Sequence, residues 1–340
     1  MSSLGEPGRK GASTIGHEVS ALLRPGSNDL VNYPERVTGR LAEVARSLPQ
    51  AVRPSALELV QRPGKRLRSN LLAASAAFGA PDPVRLVRLG AVVELLHTAS
   101  LLHDDVIDRA AERRGAPAAH TVIGAESASL AGLACFALAG TEAAALGDGV
   151  SRAVADTAAA LAAGEMLDVE RAFDVELPLA DYLELVQRKT GDLFRLTCLL
   201  GAAEAGVSAE HSGHLARIGA AHGAAFQILD DCLDFDPAAG AAGKPTGNDH
   251  LLGLFGAPIV LALPQDETGD LARLLLRPAL DAADLARIRA LVIDLGGLAA
   301  AKETARDLHG QTMDALAELP AGSARDRLAD VVRLPRWAES

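Results

Sequence analysis

The sequence predicts an all-α fold, a single large helical bundle, and three observations carry that expectation. Apolar residues make up 49% of the 340 and aromatics only 3%; the remainder of the apolar complement is largely Ala, Leu and Val, a balance that favours helix over sheet. From about His17 onward the apolar positions recur every three or four residues, with breaks at Pro, Gly or Asx. No segment shows the sustained alternation with hairpin turns that strands need.

Residues 1–16 carry Arg9 and Lys10 but no apolar segment, so they read as a disordered lead-in rather than a signal peptide. Helices are then predicted over 17–24, 35–47, 54–62, 66–79 and 83–108, the last ending in a run of carboxylates. They continue over 122–146, 149–170, 178–203 and 208–235, the last again ending in carboxylates. The Ala-rich face from Ala153 to Ala163 permits close helix approach, and Thr190-Gly191 in an otherwise apolar helix suggests an inward kink. After a loop-like stretch from Gly240 to Gly256 come 257–263, 267–275, 280–293, 297–318 and 323–332. No linker divides residues 17–340, which are read as one domain. The longest apolar stretch, near Ala128 to Thr141, is too short to span a bilayer and ends at Glu142, so a cytoplasmic protein with no transmembrane segment is expected.

A net charge of −11 argues against a nucleic-acid partner, because phosphate-backbone binding wants a basic footprint. Cys135, Cys198 and Cys232 are widely separated and sit in helical runs, as small buried hydrophobes do. The chemistry concentrates elsewhere. In Leu101-Leu102-His103-Asp104-Asp105-Val106-Ile107-Asp108, Asp104 and Asp108 share a helix face with Asp105 beside them. Three like charges so close are tolerable only with a cation between them, and hard oxygen ligands select a hard divalent cation such as magnesium. The pattern returns at Asp230-Asp231-Cys232-Leu233-Asp234, again after an apolar helix. One copy could be a solvated helix end. Two copies suggest facing helix tips that clamp a diphosphate through shared metal ions.

An acidic protein that binds an anion also needs a local basic patch. Gly64-Lys65-Arg66-Leu67-Arg68 stands at a helix start, a ready anion site. Arg113 and Arg114 follow the first acidic cluster, and their planar forks bind phosphate oxygens two at a time. His97 lies two helical turns below Asp104 and near the same face. Lys189 beside Thr190 and Lys244 in the loop after the second cluster would add phosphate contacts. The Gly243–Gly247 stretch is not a P-loop, because Pro245 follows the Lys and Ala238 stands where the first Gly is required.

Together these residues resemble the trans-isoprenyl (polyprenyl) diphosphate synthases, through GKRLR at 64–68, ELLHTASLLHDDVID at 94–108, RRG at 113–115, KTG at 189–191, AFQILDDCLDF at 225–235 and GKPTGND at 243–249. The resemblance implies a bundle of the isoprenoid synthase type with a deep central cavity, usually a homodimer. It implies that isopentenyl diphosphate is condensed head-to-tail with an allylic prenyl diphosphate. Asp104, Asp105, Asp108, Asp230 and Asp234 would hold Mg2+, three ions per site, on the allylic diphosphate, with Asp231 beside them. Arg113, Lys189, Gln227 and Lys244 would line that pocket with Thr190 near it; Lys65, Arg66, His97 and Arg114 would bind isopentenyl diphosphate. Ser100 and Ala99, four and five residues before Asp104, are small and leave room for a C20 or longer product. Leu96 and Phe136 are candidate floors.

The chain departs from the family pattern at Ser69, Ala118, Leu133 and Leu254, the last replacing a Lys expected at the leaving diphosphate. Two other functions compete: a class I terpene cyclase of the same fold, and a non-catalytic partner subunit of another synthase. The cyclase has no reason to keep Lys65, Arg66, His97 and Arg114 as a set; the partner subunit has none to keep both acidic motifs whole.

Overall fold

The computed structural model describes residues 32–50, 53–54, 57, 66–113, 116–235 and 252–335. Its helices are α1 (Tyr33–Ala45), α2 (Leu67–Ala76), α3 (Pro83–Ile107), α4 (Ala119–Ile123), α5 (Ala125–Ala144), α6 (Asp148–Glu170), α7 (Leu179–Val186), α8 (Asp192–Ala205), α9 (Ala209–Leu233), α10 (Ala257–Ala262), α11 (Asp270–Leu275), α12 (Ala282–Asp294), α13 (Gly297–Ala317) and α14 (Ser323–Val331). The all-α expectation holds, with one addition. A two-stranded antiparallel hairpin, β1 (Glu112–Arg113) and β2 (Ala116–Pro117), follows α3, where the sequence suggested only a loop. Two-residue strands are too short to leave an alternating pattern.

α3 forms the centre. Asp82 caps its start, accepting from the Val84 and Arg85 amides at 2.7 and 3.1 Å, while Pro83 supplies a helical φ at the first position. Leu86, Leu89, Ala91, Val92, Val93, Leu95, Leu96 and Leu102 are fully buried around its circumference, the signature of a core helix rather than an amphipathic surface one. Its length and apolar content alone would suit a membrane, as would those of α5, yet 72% of the apolar window of α3 is buried inside the fold against 39% for α5. Near its end, His103 fits beneath Gly132 of α5; a Cβ there would lie 2.4 Å from the imidazole, so a larger residue would displace the ring. That contact seats the first acidic motif against α5.

Two expected helices are divided. Residues 122–146 break at Gly124, whose φ of 84° separates α4 from α5. Residues 178–203 contain a π-turn, Gln187–Gly191, between α7 and α8, at the place where the Thr-Gly pair predicted a kink. The expected helix at 17–24 and nearly all of 54–62 lie outside the described residues.

α9, the second motif's helix, is capped by Ser208 and packs along α8 and α13. Both acidic ends emerge at one end of the bundle, and Cys135, Cys198 and Cys232 are buried thiols.

Candidate active site

The first acidic motif occupies the last turn of α3. Asp105 points into the protein, its side chain 2% exposed, and is gripped by Arg113, whose Nε donates to Oδ1 at 2.6 Å. The hairpin delivers that arginine: Arg109 takes a left-handed φ of 49° directly after the helix, and the chain doubles back so that Arg113 meets its own carboxylate neighbour. Asp104 and Asp108 lie on the other side. Burial pushes the Asp104 carboxyl up; Lys189 opposes that shift, and the like charge of Asp108 adds to it.

Lys189 sits on the π-turn. The wider turn brings its Nζ to 2.6 Å from Asp168 and 3.2 Å from Glu165, both on α6. Gly164 makes this possible, since a Cβ there would stand 2.6 Å from the Lys189 amide nitrogen. Burial works against the ammonium charge, but Asp168, Glu165, Asp104 and Asp108 hold it well above its ordinary pKa. Glu165 moves the other way: burial raises it to about 7, against the pull of Lys189 and with the repulsion of Asp104 and Asp168. Glu165 and Asp168 were not singled out from the sequence. The available signal was an acidic pair three residues apart in an alanine-rich helix, directly after a glycine.

The second motif ends α9. Asp231 is turned inward, where it accepts from the Tyr182 hydroxyl, from Gln227 Nε2 at 2.9 Å and from the Ala257 amide at 2.9 Å. Burial raises its pKa to about 6 despite those donors. Gln227 in turn accepts from Thr190 Oγ1 at 2.8 Å, which links the second motif to the π-turn bearing Lys189. Arg289 Nη2 donates to the Asp234 carbonyl at 2.5 Å, and Asp230 is exposed. Tyr182 and Arg289 also escaped the sequence reading, for their roles exist only once distant helices meet.

Both motifs border one open cleft: Asp108 with Asp168 and Lys189 on one side, Asp231, Asp234 and Gln227 on the other. Its apolar wall comes from Leu185, Val186, Leu254, Phe255 and Ile259. Leu254 thus places a hydrocarbon group where the family pattern has a cation.

The remaining candidates scatter. Arg66, with a left-handed φ of 46°, pairs with the buried Glu94 at 3.1 Å and with Thr38 Oγ1 at 3.2 Å. Ser69 joins the same node through its amide on Glu94. His97 is half-buried on α3, while Arg68 lies 4.6 Å over the Phe194 ring. Below the first motif, Ala99 packs with Leu102, Ala131 and Cys135, and Leu96 is fully buried; Phe136 rests against both groups. Lys65, Arg114 and Lys244 lie outside the described residues.

Among the described residues no three His, Cys, Asp or Glu side chains converge into a ready-made metal site. The donor set nonetheless suits a hard divalent ion: it is all carboxylate oxygen, and Asp104 is strained by burial and by Asp108 in a way that a cation would relieve.

The polyprenyl synthetase family model matches residues 49–292. The nonaprenyl diphosphate synthase of Mycobacterium tuberculosis is 35% identical over 290 residues, covering 84% of this chain and 87% of the relative. The geranylfarnesyl diphosphate synthase of Aeropyrum pernix is 32% identical over 82% of this chain and 91% of its own. Among solved structures, a Caulobacter crescentus polyprenyl synthase complexed with calcium and isoprenyl diphosphate superposes with a TM-score of 0.83 at 33% identity, covering 92% of this chain and 96% of that one.

Proposed function

We propose that this chain, which belongs to the polyprenyl synthetase family, condenses isopentenyl diphosphate head-to-tail with an allylic prenyl diphosphate to give a trans-prenyl diphosphate of C20 or longer. The observation that carries the reading is the shared cleft: two acidic helix ends, one lysine and an apolar wall border the same space.

Asp104, Asp108, Asp230 and Asp234 would hold Mg2+, three ions in the full site; Asp105, expected among the ligands, is paired with Arg113 instead and would stand behind them with Asp231. When bound, the ions would neutralise charge developing on the leaving diphosphate, a Lewis-acid role worth several kcal/mol. The chain's own groups do the rest. Lys189 and Arg113 approach the diphosphate oxygens, and Lys244 joins them. Leu185, Val186, Leu254, Phe255 and Ile259 exclude water from the allylic cation and offer it no nucleophile. The double bond of isopentenyl diphosphate, held by Lys65, Arg66, His97 and Arg114, attacks the cation. The departing diphosphate accepts the proton that is then lost, so no protein nucleophile takes part.

Small side chains at Ser100 and Ala99 support a product longer than C15, and the relatives' names span geranylfarnesyl to nonaprenyl. A homodimer would cover the exposed Leu130 and Leu133 of α5, 61 and 60% exposed.

The test is incubation of purified protein with Mg2+, an allylic starter and labelled isopentenyl diphosphate, followed by chromatography of the dephosphorylated products. A C20 or longer alcohol is expected. Hydrocarbon formed from geranylgeranyl diphosphate alone would indicate a cyclase. Turnover only after adding another subunit would indicate a partner protein, a possibility given weight by a 32% identical Geobacillus stearothermophilus relative named as component 2 of heptaprenyl diphosphate synthase.

A further inference from the structure

The last turn of an α-helix has no partners for its final carbonyls and frays unless something outside the helix holds it. The end of α9 must nonetheless present Asp230 and Asp234 in a fixed direction. At 100° per residue, Asp230 and Asp234 lie about 40° apart on one face while Asp231 lies about 100° round from Asp230. Whatever pins Asp231 therefore sets the rotation of the other two.

Three helices supply the pins. Tyr182 of α7, 2% exposed, donates its hydroxyl to Asp231 Oδ2; the first amide of α10, Ala257, donates to the same oxygen at 2.9 Å; and Arg289 of α12 caps the Asp234 carbonyl at 2.5 Å. Tyr182 lies 49 residues from Asp231 and Arg289 lies 55 from Asp234, so neither contact is a by-product of local chain geometry.

We propose that Tyr182 is a positioning residue for the second acidic motif: acting through Asp231, with Arg289 as its counterpart on Asp234, it holds the end of α9 at the rotation in which Asp230 and Asp234 meet the cation-bound diphosphate. This rests on the proposed function and adds to it a residue that acts through Asp231 and whose ring also lines the cleft.

The experiment compares Tyr182→Phe with a matched control. Tyr33→Phe also removes a buried tyrosine hydroxyl, one that donates to the Leu86 carbonyl at 3.3 Å in a different part of the core. Each protein is titrated with Mg2+ at fixed inorganic diphosphate, following thermal stabilisation, and then with substrates, following turnover. Tyr182→Phe is expected to need about tenfold more Mg2+ for half-maximal stabilisation, the scale of one charge-assisted hydrogen bond, with kcat at saturating Mg2+ changed no more than about threefold. Tyr33→Phe keeps the wild-type midpoint. Arg289→Met shifts the midpoint in the same direction as Tyr182→Phe, and decides the matter if Tyr182→Phe does not fold. Wild-type midpoints in the variants that fold, or an equal shift in Tyr33→Phe, would overturn the assignment. A wild-type protein that Mg2+ and diphosphate do not stabilise and that shows no turnover would instead overturn the proposed function beneath it.

Discussion

The two acidic helix ends share one pattern of residues, yet the fold secures them by different means. At the first, Asp105 is held, among the described residues, by Arg113, eight residues away on the hairpin that the same helix leads into. At the second, Asp231 is held by three donors from α7, α9 and α10, with Arg289 of α12 on the neighbouring carbonyl. In both, the second aspartate of the pair is held by fixed donors and the last aspartate of the motif borders the cleft, which Asp231 also lines. On the proposed function the repeat would divide labour between anchor and ligand; the first end is local and ionic while the second is a long-range hydrogen-bond cage.

The largest effect should come from the first aspartate of each motif. Asp104→Ala and Asp230→Ala are each expected to lower turnover by at least about 10²–10³-fold, the scale of losing one preorganised electrostatic group, with helical circular dichroism unchanged. Wild-type rates in either would break the symmetry of the two ends.

Lys189→Met comes next. It leaves Glu165, Asp168, Asp104 and Asp108 without their shared cation, so turnover should fall about 10-fold to 100-fold, and Asp104 and Glu165, whose carboxyls Lys189 holds down, should take up protons at higher pH than in the wild-type metal-free protein. A pH-jump calorimetric titration would show the uptake.

The anchors should separate by stability. Asp231→Ala strands the buried Tyr182 hydroxyl and the Ala257 amide, and should cost about 2–4 kcal/mol in denaturant unfolding. Asp105→Ala removes one partner of Arg113, whose side chain is 29% exposed and can reach water, and should cost about 1 kcal/mol. Equal losses would erase the contrast between a caged end and an ion-paired one.

Acidity gives a smaller test. Glu165 is raised to about 7 from an ordinary 4.5, chiefly by burial. Between those values the folded protein binds more protons than the unfolded one, so this group makes the metal-free protein less stable as pH rises from 4.5 through 7, levelling off above the folded value. Glu165→Gln should flatten that slope in thermal melts at pH 5, 6, 7 and 8. The smallest effect is Ser208→Ala, which removes the cap at the far end of α9. It should cost about 1 kcal/mol and leave turnover unchanged, showing that the far end of α9 does not set the site.

Much of this was legible in the sequence because it is local. The limits of α3, expected at 83–108 and found at Pro83–Ile107, follow from the Asp-Pro start and the acidic end. The facing motifs were inferred from their repetition, and the kink from Thr190-Gly191. What escaped is tertiary. Glu165 and Asp168 look like a solvated helix face until Gly164 lets α6 meet the π-turn. Arg66, whose sequence setting suggested an anion site, also meets Glu94, which is buried 28 residues away. Tyr182 and Arg289 carry no motif at all, and nothing in a heptapeptide around either announces the carboxylate or carbonyl it will reach.

The division into anchors and ligands is tested most directly by a crystal structure of the protein grown with Mg2+ and inorganic diphosphate. The account requires ions bridged to diphosphate by Asp104 and Asp108 on one side and by Asp230 and Asp234 on the other, with Asp105 still on Arg113 and Asp231 still on Tyr182. Ions bound directly to Asp105 or Asp231, with those two contacts broken, would contradict it.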